Sequence, residues 1–162
     1  MKTEEWLVLD LGCGTCLCGP WLRKLAKKLV GIDISPEMIA IAKEKSLYDT
    51  LEVEDVERAL EKYKDVDLII AADVFTYIGK LDTIFTKAHE ALAKDGLFVF
   101  SVEKTAVEPK KIKKTVRYAH SRNYLDALIQ DSHFETVRFD NLVLRKQKNQ
   151  SVEGYLVMLR KK

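Results

Sequence analysis

Short apolar runs rich in branched residues alternate along this chain with stretches in which apolar positions recur every three or four residues, the pattern of strands joined by crossover helices. Trp6 to Leu11 is apolar apart from Asp10, as in a parallel strand buried on both faces. Pro20 suits a first helical turn, and Trp21, Leu22, Leu25 and Leu29 keep helical spacing until the chain straightens over Leu29 to Ile34. Ser35 before Pro36 predicts a capped helix carried on by Met38, Ile39, Ala42 and Lys45. A strand at Thr50 to Val53, a helix from Val56 to Tyr63 and an apolar strand from Val66 to Ala72 follow. Leu81, Ile84, Phe85, Ala88 and Leu92 form a helical stripe with Gly96 as its natural stop, and Leu97 to Val102 reads as the fifth strand. The pattern lapses between Lys104 and Arg122. Tyr124, Leu125, Leu128 and Ile129 then predict a helix, and Phe134 to Arg145 and Val152 to Arg160 predict a closing hairpin turned at Lys146 to Ser151. The expected fold is a doubly wound α/β sheet, mostly parallel with an antiparallel C-terminal hairpin strand and helices on both faces.

Composition narrows this picture. A length of 162 residues fits one domain over 1–162, and 47% hydrophobic against 32% charged residues fits a packed core and excludes disordered or collagen-like chains. The net charge of +2 gives no global field for nucleic acid or an anionic membrane, and no apolar run approaches the roughly 20 residues that span a bilayer. The charged start lacks the apolar stretch of a secretion signal, so the expected location is cytoplasmic. Cys13, Cys16 and Cys18 cluster with no distant partner and define no disulfide framework. Cys13-Gly14-Thr15-Cys16 could form a redox pair, whereas zinc would need His89, His120 or His133 at spacings unlike a finger, so no metal is expected.

The chemistry gathers where strands end, since open α/β sheets bind ligands beyond their carboxyl edge. The first strand runs into Gly12-Cys13-Gly14, glycines that let backbone amides approach a ligand. Asp33 ends the second strand at close to the spacing of about 20 residues at which an acid reaches ribose hydroxyls. These features predict a bound nucleoside. Asp10, two residues before the first glycine, would repel a pyrophosphate and attract an ammonium or sulfonium charge, and the third glycine of the dinucleotide pattern is absent.

Val8-Leu9-Asp10-Leu11-Gly12-Cys13-Gly14-Thr15 resembles the first motif of class I S-adenosylmethionine-dependent methyltransferases, which have a Rossmann-like fold. The likeness continues through Gly31-Ile32-Asp33-Ile34-Ser35-Pro36, Glu54-Asp55-Val56, Asp67 to Phe75 and Lys94-Asp95-Gly96-Leu97-Phe98. Arg117-Tyr118-Ala119-His120-Ser121 and Gly154-Tyr155-Leu156-Val157 are most similar to a bacterial subgroup often fused to tetratricopeptide repeats. The resemblance implies S-adenosylmethionine as cofactor, with Asp10, Gly12 and Gly14 around its methionine end and Asp33 on the ribose. It further implies Asp55 on the adenine amino group, Val56 offering a backbone amide to the ring, Ile34 and Met38 packing on the adenine face, and the Ala71 backbone holding the cofactor's amino group. Cys16 stands where the family usually has a third glycine. Relatives usually carry N-terminal helices that fold over the cofactor, and only about six residues precede the first strand here.

Asp73, Phe75 and Tyr77 follow the fourth strand, where substrate pockets form. The expected reaction is displacement of the sulfonium methyl by a small-molecule acceptor, with Asp73, Tyr77 and His120, in that order, as bases for a hydroxyl nucleophile. Lys110 to Tyr118 concentrates positive charge that could receive an acidic substrate or RNA phosphate, but with little aromatic interleaving a nucleic-acid partner is disfavoured. Two competing readings are a cofactor-binding module without turnover and a nicotinamide-dependent oxidoreductase, the latter disfavoured by Asp10. The sequence leaves the oligomeric state open.

Overall fold

The computed structural model describes residues 5–106, 110–111, 117–147 and 149–162. Strands β1 (Trp6–Leu11), β2 (Ala26–Asp33), β3 (Thr50–Val53), β4 (Val66–Ala71) and β5 (Leu92–Thr105) alternate with helices α1 (Gly19–Leu22), α2 (Pro36–Glu44), α3 (Val56–Lys62) and α4 (Asp82–Ala91). Then come β6 (Lys110–Lys111), β7 (Tyr118–Ser121), α5 (Arg122–Asp131) and the hairpin β8 (Phe134–Gln147) and β9 (Gln150–Lys161). The sheet order is β3-β2-β1-β4-β5-β7-β6, with β9 antiparallel to β5 over Leu97 to Glu103 and β8 outside β9. The doubly wound, mostly parallel sheet with an antiparallel C-terminal pair is as expected.

Neighbouring strand residues point to opposite faces, so each buried strand feeds two cores. Leu9, Leu11, Val30 and Ile32 join Leu60, Phe85, Phe98, Phe100 and Leu125 in the larger core under α3, α4 and α5. Phe75, Phe85, Phe98 and Phe100 meet there in edge and tilted pairs with centroids 5.0–6.1 Å apart. Val8, Leu22, Ala26, Leu29 and Leu68 form a smaller core on the other face.

Several boundaries differ from the sequence reading, most of all after β1, after α4 and after β5. The helix after β1 stops at Leu22. Leu29, which kept its period, lies in β2 opposite Val8, and Trp21 is 71% exposed, so the helical spacing mixed residues from a helix, a turn and a strand. After α4 the left-handed residue is Asp95 (φ 63°) and not Gly96, whose added Cβ would stand 2.9 Å from the carbonyls of Ala93 and Val66. Between Lys104 and Arg122, where the pattern lapses, β7 pairs in parallel with the end of β5. Residues 112–116 of the basic stretch lie outside the described residues. No helix among the described residues is long and apolar enough to cross a membrane.

Candidate cofactor and acceptor site

The carboxyl ends of β1, β2, β3 and β4 surround a cavity of about 350 Å³ lined by Gly12, Asp33, Ile34, Asp55, Val56, Asp73, Val74, Tyr77 and Ile78. The turn after β1 can approach because Gly12 (φ 66°) and Gly14 (φ 52°) both take left-handed backbone. The intervening Cys13 N–H donates to the Ile32 carbonyl at 2.9 Å, which ties the turn to β2. A Cβ on Gly12 would stand 2.3 Å from Val74 Cγ2.

Asp33 locks the other side of this turn. Its Oδ2 accepts from the Gly14 N–H and its Oδ1 from the Ser35 N–H, each at 2.9 Å. Each carboxylate oxygen has a second lone-pair direction, so the group can be held by the backbone and still accept from a ligand diol. Ser35 caps α2 through Met38 N–H, which places Ile34, 74% exposed, as an apolar platform on the cavity. Asp55 caps α3 through Glu57 and Arg58 N–H and also lines the cavity.

Asp10 lies beneath the turn instead of on the cavity wall. It is 2% exposed, and its Oδ2 accepts from the Tyr48 hydroxyl at 2.5 Å. Burial raises its pKa to about 6, with the Tyr48 hydrogen bond opposing and the Asp33 charge adding to the rise. Room for the Tyr48 ring comes from Gly31, whose added Cβ would meet it at 2.8 Å. Cys16, in the place of the third glycine, is buried and also left-handed at φ 67°, a conformation that costs a side chain.

On the β4 side, Asp73 follows the strand with φ 57° and donates its N–H to Ser101 Oγ at 2.9 Å. Its Oδ1 accepts from Arg117 and from Arg145, both at 3.1 Å. The same two guanidiniums bind Oε1 of buried Glu103, and Arg117 stands 5.3 Å from the ring centroid of Tyr77.

Of the residues singled out in the sequence, Gly12, Asp33, Ile34, Asp55, Val56, Asp73 and Tyr77 line one cavity. Gly14 adjoins it through Asp33, Met38 sits in the first turn of α2, and Ala71 is buried at the end of β4. His120 is fully buried on β7, stacked on Tyr124 with Nε2 3.3 Å from the Gly79 carbonyl, and burial pushes its pKa down. Sequence reasoning missed Val74 and Ile78 on the wall, Tyr48 beneath it and the Arg145–Glu103 pairing. Only the apolar, strand-adjacent positions of Val74 and Ile78 offered a signal.

A sheet of this topology, with a glycine turn and two strand-end carboxylates around one cavity, defines an α/β domain with a ligand-sized site beyond the carboxyl edge of its strands. Residues 2–158 match the family described as "Methyltransferase domain", and the chain belongs to it. Among curated relatives, a ubiquinone biosynthesis O-methyltransferase of Pelagibacter ubique is 28% identical over 102 residues, covering 60% of this chain and 42% of that protein. A malonyl-[acyl-carrier protein] O-methyltransferase of Hamiltonella defensa is 27% identical over 98 residues, with 60% and 38% covered. The chain thus spans about two fifths of the length of these relatives. A SAM-dependent methyltransferase structure from Methanosarcina mazei superposes with TM-score 0.77 at 18% identity, over 98% of this chain and 93% of that one.

S-adenosylmethionine is the cofactor of this class, and the residues present fit it. The cavity is of ligand size, its glycine turn leaves the backbone open, and Asp33 and Asp55 offer acceptors suited to hydroxyl and amino groups.

Proposed function

We propose that this domain binds S-adenosylmethionine between the glycine turn and α3 and methylates a small-molecule acceptor at the Asp73–Tyr77 end. The observation that carries this is the Asp33 carboxylate, fixed by the N–H groups of Gly14 and Ser35 on the wall of the cavity. Asp33 receives the ribose hydroxyls, Asp55 the adenine amino group, and the Val56 amide the ring. Ile34 and Met38 cover the adenine face. Gly12 and Gly14 admit the methionine end, with the Ala71 backbone holding its amino group. Asp10 contributes negative charge from beneath the turn, which favours a cationic ligand over a diphosphate.

When bound, the cofactor supplies an electrophilic methyl group that passes to the acceptor with the sulfonium charge neutralised. The chain's own residues orient the acceptor and exclude water, and orientation of this kind can supply a large share of the acceleration. For a hydroxyl acceptor, Asp73 is the first candidate to take the proton, Tyr77 the second and His120, enclosed on β7, the third. A cytoplasmic location, a single catalytic core over residues 1–162 and kinship with the repeat-fused subgroup complete the reading.

The test is a transfer assay with S-adenosylmethionine labelled on its methyl group over a panel of small hydroxyl, amine and carboxyl acceptors. Labelled product formed with an equal yield of S-adenosylhomocysteine supports the reading. Cofactor binding with no product across the panel supports a binding module instead.

A further inference from the structure

We propose that Arg117 and Arg145 anchor a carboxylate carried by the acceptor, with Asp73 occupying that anchor until the acceptor displaces it. The proposal rests on the methyltransferase reading of the cavity and names the class of molecule it receives.

Among the described residues, Arg117, Arg145, Asp73 and Glu103 meet at the β4 end of the cavity. Arg117 Nε donates to Glu103 Oε1 at 3.0 Å, Arg145 Nη2 donates to the same oxygen, and both guanidiniums donate to Asp73 Oδ1 at 3.1 Å. The two acids are held differently. Glu103 is buried on β5, with its backbone paired to Gly154 on one side and Ala119 on the other, so it stays. Asp73 sits on a loop in left-handed backbone, its side chain is 53% exposed, and it lines the cavity. Without Asp73, each of these half-buried guanidiniums would lose the carboxylate it binds on the cavity side. A carboxylate is the ligand that matches this arrangement, because a carboxylate already fills it and guanidinium donors suit its planar pair of oxygens. Tyr77, exposed and lining the cavity beside Arg117, supplies an apolar wall for the rest of the molecule.

Displacement would have a chemical consequence. Asp73 Oδ1 now receives two charged donors; an acceptor carboxylate that takes those donors releases Asp73 next to the acceptor's hydroxyl. Binding of the right substrate would thus prepare the base.

The test is an NMR titration of protein labelled with ¹⁵N, loaded with S-adenosylhomocysteine, following the arginine Nε–H signals assigned through R117K and R145K. The probes are sodium benzoate, benzamide and inorganic phosphate at constant ionic strength. Benzoate is expected to shift both signals saturably, benzamide to leave them in place, and R145Q to abolish the effect. D73N, or D73S should D73N not fold, is expected to bind benzoate at least about threefold more tightly, since the competitor has gone. The proposal is overturned if benzoate gives no saturable shift, if benzamide matches it, if phosphate binds more tightly than benzoate, or if removing Asp73 leaves benzoate affinity unchanged. Binding of S-adenosylhomocysteine is measured first by calorimetry. Its failure would remove the methyltransferase reading, while the same titration on protein without it still reports on the anchor.

Discussion

The Tyr48 hydroxyl donates to Asp10 Oδ2 at 2.5 Å beneath the glycine turn, a contact bridging the loop after α2 and the end of β1. It gives a nearly fully buried carboxylate one strong partner and leaves it short of full compensation, as the raised pKa of about 6 shows. A carboxylate kept there at a cost in stability is expected where it serves a ligand.

Asp10→Asn should therefore stabilise the fold at pH 7 while weakening cofactor binding. The shift from 3.8 to about 6 corresponds to about 1–3 kcal/mol of destabilisation that the neutral amide removes, with Tyr48 still bonded. Denaturant unfolding and calorimetry on the same sample check both halves. A variant that is less stable than the parent at pH 7 would contradict the first.

Two buried groups give opposite pH dependences. Asp10, with its pKa raised, adds stability that is complete below 3.8 and lost as pH rises through about 6. His120, with its pKa lowered by burial, adds stability that is complete above 6.5 and lost as pH falls through its folded value. His120→Gln should flatten the acid side of the stability profile below pH 6.5, and Asp10→Asn should remove the decline between pH 4 and 6. Melting temperature against pH reads both.

Gly12→Ala combines a left-handed backbone with a Cβ 2.3 Å from Val74 Cγ2, so the turn must move and the cavity wall with it. The expected cost is about 1–2 kcal/mol from the backbone conformation alone, with cofactor binding lost. Adding Val74→Ala relieves the collision and not the backbone, so the double variant should regain part of the stability.

Asp55 both caps α3 and faces the cavity, and the two roles separate by substitution. Asp55→Ala should cost about 1 kcal/mol and weaken the cofactor. Asp55→Ser keeps a capping oxygen but no longer reaches the ligand, so its melting temperature should stay near the parent's while affinity falls several-fold.

Much of the fold was legible because buried parallel strands are short, apolar and bounded by turns. β1 and β3 have the expected limits, and β4 ends one residue early. Sequence spacing overextends the helix after β1 because Leu25, in the turn after Leu22, and Leu29, in β2, keep a helical period. β7 was missed because Ala119, His120 and Ser121 are buried through pairing with the end of β5, without an apolar pattern to announce it. The cavity's glycines and carboxylates were legible because strand-end positions have fixed spacings. The arginine anchor was not: Arg145 lies 42 residues from Glu103 and 72 from Asp73, and a charged residue in a polar hairpin reads as solvated.

Calorimetric titration of the parent protein and Asp33→Ala with S-adenosylmethionine, S-adenosylhomocysteine and NADH tests the central claim most directly. Both adenosyl compounds should bind the parent at a single site, NADH should not, and Asp33→Ala should weaken binding at least about tenfold, or 1.4 kcal/mol, with the melting temperature little changed. Binding of NADH alone, or unchanged affinity in the variant, would contradict the account.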